Sequence, residues 1–204
     1  GLCFANAVND GAVGVVAASG TGAQELSVQI DSLGGGISQL VGVGGRDLSE
    51  DIGGIMMIDA LNMLAVDDQT KVIVLISKPP AESVANKVLK VAKDVDKPVI
   101  VCFISESSNK RQTDKKQADN NQSDKSSGNL HFTSNTLDAA KQAFKILGLT
   151  VDNKSKSYDF DYDDIHASFA DSQKFIRGVF CGGTICDEVF YVIKAAVDNE
   201  ASKV

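Results

Sequence analysis

Val13-Gly14-Val15-Val16-Ala17-Ala18-Ser19-Gly20-Thr21-Gly22-Ala23-Gln24-Glu25 decides the fold. The apolar run Val13 to Ala18 reads as a buried strand, and Ser-Gly-Thr-Gly ends it. An amphipathic stretch follows, with Leu26, Ile30 and Leu33 on one face. A strand, a glycine turn and a helix together leave free backbone N–H groups and the positive end of a helix dipole at the tip of a sheet. That combination favours anions, phosphate and carboxylate above all. The hydroxyls of Ser19 and Thr21 suit both a helix cap and a bound oxyanion. As a lone loop, Ser19, Gly20, Thr21 and Gly22 fit a tight turn with caps as well as they fit an anion cradle.

The chain repeats the scheme near its end. Ser19-Gly20-Thr21-Gly22-Ala23-Gln24-Glu25 aligns with Gly182-Gly183-Thr184-Ile185-Cys186-Asp187-Glu188, sharing Gly-Thr and a helical Glu. Ile176 to Phe180 stands where the first unit has its strand. Two such units predict a duplicated anion-binding device at Ser19–Gly22 and at Gly182, Gly183 and Thr184.

Outward from the first unit, Leu33-Gly34-Gly35-Gly36 stops the helix. Ile37 to Val43 is a second strand candidate, ending in the glycine-rich tip Gly42-Val43-Gly44-Gly45-Arg46-Asp47. Ile55 to Leu64 reads as a helix with Ile55, Ile58 and Leu61 inward. Val72 to Ile76 is apolar on both faces, as a central parallel strand is. Ser77-Lys78-Pro79-Pro80 closes it, and Val84, Val88, Val91 and Val95 mark a helix stripe. Val99 to Ile104 is a fourth buried strand. Strands alternating with helices predict a doubly wound parallel α/β sheet, with the ligand crevice outside the strands' carboxyl ends. The Ser19, Arg46 and Lys78 tips are therefore expected on one crevice.

Ser105 to Gly128 is almost wholly polar and reads as a loop bordering that crevice, either a lid or a solvated insertion. Beyond it come a short strand, Leu130-His131-Phe132-Thr133, and a helix marked by Leu137, Ala140, Phe144 and Leu147 with Asn135-Thr136 as its cap. Leu149-Thr150-Val151 is an edge-strand candidate, and Lys154 to Asp164 is polar and acidic. The expected division is 1–150 as one domain, 151–168 as a linker, and 169–204 as a strand–helix extension opening a second half.

Composition limits the partners. The net charge is −7 over 204 residues. This disfavours nucleic acid and anionic membrane, and no apolar run approaches the roughly 20 residues of a bilayer span. Cys3, Cys102, Cys181 and Cys186 form no paired framework, which fits a reducing cytoplasm, and no metal site is expected.

The ordered motifs Val15 to Glu25, Gly42 to Ser49, Val74 to Pro80 and Arg177 to Thr184 resemble the FdrA proteins of the succinyl-CoA synthetase superfamily. The resemblance implies that 1–150 is a flavodoxin-like ligase domain, that the CoA-binding domain of FdrA is missing, and that the tail starts a second ligase-like half. No cofactor is assigned to this chain itself, and CoA or a nucleotide is implied for the full-length protein. In the synthetases a loop histidine carries a phosphoryl group between two facing helix mouths. Here Ser105 to Gly128 holds no His, and Lys78 stands where the synthetases place a Glu. His131 is the remaining candidate carrier beside its reading as a packed or surface histidine, and His166 is a weaker one.

These departures point to anion binding without covalent catalysis. Lys78 and Arg46 are the candidate catalytic cations, and Ser19, Gly20, Thr21, Gly22, Gly44, Gly45, Gly182, Gly183 and Thr184 the candidate anion-binding residues. The implied substrate is phosphate, carbamoyl phosphate or a carboxylate. The implied activity is acyl or carbamoyl transfer, with oxamate carbamoyltransferase as the family's own link, in a homo-oligomer or with partner subunits. The alternative is a non-catalytic assembly domain that docks partner subunits. Opposite these roles stand plainer ones, in which Arg46 pairs with Asp47, Glu50 or Asp51, and Lys78 is solvated.

Overall fold

The computed structural model describes residues 6–104, 128–151, 168–170, 172–173 and 175–201. Five parallel strands alternate with helices. In chain order they are β1 (Asp10–Ala17), α1 (Gly20–Ser32), β2 (Ile37–Gly42), α2 (Ile55–Val66), β3 (Val72–Ser77), α3 (Glu82–Lys93), β4 (Val99–Phe103), β5 (Leu130–Phe132) and α4 (Thr136–Leu147). A last helix, α5 (Gly183–Ala201), follows. The strand order β2-β1-β3-β4-β5 is that of the flavodoxin-like sheet. The expected parallel α/β architecture is the one observed.

Alternation along the strands sorts the core into two layers. Val13, Val15, Ala17, Val74, Ile76, Ile100 and Cys102 face α1 and α4, where Leu26, Ile30, Ala140 and Phe144 meet them. Val16, Ile73, Leu75, Val99 and Val101 face α2 and α3, against Met57, Leu61, Leu64, Val84 and Val88. β3, in the middle, is buried at every residue. This explains its unbroken apolar run, because helices cover both faces.

Several local expectations are corrected. Ile55 and Leu137 are exposed, and the inward faces of their helices are carried by Met57, Leu61 and Leu64, and by Ala139, Ala143 and Phe144. Each is the first or second residue of its helix, ahead of the turn that meets the sheet. Leu149-Thr150-Val151 forms no strand. Gly148, at φ 66°, ends α4, and Leu149 N–H returns to the Phe144 carbonyl, which turns the chain away from the sheet. Residues 176–180 form no strand either, so the extension is a turn and a helix without its strand. Ile176 and Val179 are exposed, and among the described residues no strand pairs with this stretch. The segments 105–127 and 152–167, with His166 and the expected linker, lie outside the described residues.

Candidate anion site at the facing helix mouths

The tips of β1, β2 and β3 on the carboxyl side each deliver one piece of the site. After β1, Ser19 leaves the strand with an extended backbone, and its hydroxyl accepts the Gly22 N–H at 3.1 Å, capping α1. After β3, Lys78 projects from the end of the central strand. After β2, Gly44 takes φ +87° with open space where a side chain would be, and Gly45 lies against the Ala18 carbonyl. Arg46 follows on the same end of the sheet and is exposed.

Asp47 does not pair with Arg46. It is buried, and its two carboxylate oxygens accept the N–H groups of Met56 and Met57, both at 2.9 Å, at the start of α2. An anion at a helix N-terminus satisfies orphan donors and the dipole together. Asp47 is thus structural, and Arg46 keeps its charge turned to solvent.

The second Gly-Thr unit comes to the first head-on. The Ser19 and Thr184 hydroxyls are hydrogen-bonded to each other. A Cβ on Gly182 would fall 2.2 Å from Thr21 Cγ2, so only glycine lets the backbones come this close. In the aligned numbering, position one of each unit meets position three of the other. The contact is reciprocal, as in a two-fold interface built within one chain. Two helix N-termini therefore converge, each carrying roughly half a positive charge.

Lys78 stands at the same point. Its ammonium lies where a Cβ on Gly183 would be, at 2.6 Å, and pairs with Asp187 Oδ2 at 2.8 Å. The two side chains are 52% and 35% exposed, so solvent screens the pair and it is worth about 1 kcal/mol or less. The next residue, Glu188, accepts the N–H and the hydroxyl of Thr136 through Oε1, at 3.3 and 3.2 Å. Burial pushes its carboxyl above the ordinary carboxylate value, while the Thr136 bonds pull the other way.

The structure thus brings together Ser19, Thr21, Gly22, Lys78, Gly182, Gly183 and Thr184, with Gly20 exposed at the start of α1. Gly44, Gly45 and Arg46 occupy the adjacent tip. His131 is elsewhere. It sits in β5 opposite Ile100, with its ring nitrogen 3.3 Å from the Gln142 side chain. β5 is three strands from β1, roughly 14 Å at ordinary strand spacing. Asp187 and Glu188 were visible in the sequence only as the end of the aligned repeat, with nothing to say what they hold. Among the described residues, no group of three His, Cys, Asp or Glu is placed to hold a metal ion, and no helix is long and apolar enough to cross a membrane.

Residues 8–105 match the CoA binding domain. This chain is also 46% identical over 198 residues to the uncharacterized protein YahF of Escherichia coli strain K12. That alignment covers 94% of this chain and 35% of YahF, so the chain spans about a third of the relative's length. The CoA-binding-domain match covers β1 to β4, which the sequence reading assigned to a ligase domain with the CoA-binding domain missing. The CoA binding domain is of the succinyl-CoA synthetase type, and the FdrA assignment is finer than either likeness.

Proposed function

We propose that this chain is the anion-holding part of an acyl-CoA synthetase-like enzyme of the FdrA kind, acting in acyl or carbamoyl transfer without a phosphohistidine. The observation that carries the reading is the reciprocal meeting of the α1 and α5 mouths beside Lys78. Two converging positive ends and an ammonium call for a negative guest. Phosphate, carbamoyl phosphate or a small carboxylate fits that demand.

When an acyl or carbamoyl group passes from phosphate to an accepting nucleophile, the nucleophile bonds to the carbonyl carbon, the carbon–oxygen bond to phosphate breaks, and the departing phosphate oxygen gains charge. Amides fixed at helix ends, with Lys78, are aimed at such charge and need no reorganisation as it develops. Arg46, exposed on the neighbouring tip, is suited to the far carboxylate of the substrate. CoA would supply the accepting thiol in a synthetase-type reaction, and the CoA-binding-domain likeness supports its presence in the full enzyme.

Thermal unfolding in phosphate, carbamoyl phosphate and oxamate tests this. At about a hundred times Kd, a ligand adds about 2.7 kcal/mol, a rise of several degrees for a domain of this size. Lys78→Ala is expected to remove most of the rise. No movement of the wild-type Tm with any of the three anions would overturn the reading.

The exposed Phe175, Ile176 and Val179 favour a second reading, an assembly role in which the region from 169 onward meets a partner subunit or opens a second half. Loss of co-purifying partner subunits on changing those three residues, with anion binding intact, would favour it.

A further inference from the structure

One face of the first turns of α5 fastens it over the mouth of α1. Thr184, Asp187 and Glu188 recur at helical spacing, and each meets a different element: Ser19 capping α1, Lys78 at the tip of β3, and Thr136 in the first turn of α4. Of the three, Glu188 is the one that combines enclosure with a missing partner. Its Oε1 holds two hydrogen bonds, whereas its Oε2 is sealed from solvent and accepts none among the described residues. An ionised carboxylate with one dry, unpartnered oxygen is costly in a way that the neutral acid is not.

The surroundings deepen that cost. Glu25 faces Glu188 from α1 and Asp138 from α4, both acids, and the Cys102 thiol lies on β4. Lys78, the cation at the tip of β3, is turned to Asp187 on the same helix.

We propose that Glu188 is a proton-operated latch, holding α5 against α1 and α4 and so keeping the two helix mouths together. The docked helix binds the Glu188 proton more tightly than the released one, so protonation favours docking. The grip is full below the ordinary carboxylate value and is lost as pH rises through the raised one. Release takes Thr184 from Ser19 and Gly182 from Thr21, parting the two mouths that together make the anion site. The consequence rests on the anion-site reading, while the operation rests on the geometry alone.

Hydrogen exchange of the full chain, read by mass spectrometry from pH 5.5 to 8 without added anion, tests the latch. After correction for intrinsic rates, protection of peptides spanning 184–198 is expected to fall severalfold across the range, with β3 peptides level. Glu188→Gln is expected to flatten the response. A level wild-type response, or an equally steep one in Glu188→Gln, overturns the latch. If Glu188→Gln unfolds, which the β3 peptides report, Glu25→Gln decides. Removing that facing carboxylate is expected to move the loss to lower pH, and an unmoved midpoint overturns the proposal. A phosphate-dependent Tm with pH-independent exchange sinks the latch alone, and the reverse sinks the anion site alone.

Discussion

The two Gly-Thr units share a local signature but have opposite surroundings. The first is flanked by β2 and β3, and its strand and helix contribute Val13, Val15, Ala23 and Leu26 to one core layer. The second starts a helix of 19 residues, yet the apolar residues before it are exposed and no strand forms. A glycine turn and a helix start are set by nearby residues, whereas a strand needs a neighbour. The signature thus predicts a helix mouth reliably and a strand only where a sheet is waiting.

Paired truncations offer the largest contrast. Leu26 is fully buried in the first unit, and Leu26→Ala is expected to cost about 3 kcal/mol. Val179 is fully exposed in the second, and Val179→Ala is expected to stay within about 0.5 kcal/mol. Urea denaturation of the two variants measures the difference. Similar losses for both would mean that the second unit has a core of its own, and the comparison would break.

A smaller effect separates glycines that look alike in sequence. A Cβ at Gly182 would meet three Thr21 side-chain atoms, at 2.2 to 2.7 Å, whereas one at Gly20 meets nothing within 4 Å. Gly182→Ala must push the two mouths apart, at a cost of about 1–2 kcal/mol. Gly20→Ala, at the start of α1, is expected to be neutral or to stabilise by about 0.5 kcal/mol. Equal losses at both positions, measured by thermal unfolding, would mean that the mouths do not meet as described.

The sheet was legible in the sequence because β1, β3 and β4 are short apolar runs cut by glycine or proline signals, and burial on both faces leaves no competing pattern. Asn135 as the cap of α4 was legible for the same local reason, and it accepts the Asp138 N–H. The tips were legible through topology: parallel strands put Ser19, Arg46 and Lys78 on one end whatever the details. The partners were not. Nothing in the spacing of Asp47 tells whether it faces Arg46 or the amides of α2. Nor does the separation of Lys78 from Asp187, more than a hundred residues, tell that they touch. Such pairings are fixed by how helices dock, which periodicity does not encode. The failed strand at 176–180 belongs to the same class, since its residues suit a strand and, among the described residues, no strand pairs with it.

The cysteines sharpen the comparison with the least disturbance, since alkylation needs no mutation. Cys102 sits in β4, fully buried, and burial pushes its thiol up to about 12. At pH 8 such a thiol is almost wholly protonated, and it is buried away from the reagent. Cys181, at the turn of the second unit, is exposed. Iodoacetamide at pH 8, mapped by mass spectrometry, is expected to modify Cys181 within minutes. Cys102 is expected to stay unmodified until denaturant unfolds the sheet. Comparable rates at the two positions would mean that β4 opens locally without global unfolding. The sheet that carries the first unit would then be as open to the reagent as the exposed turn of the second, and burial in the sheet could no longer explain why their signatures lead to different structures.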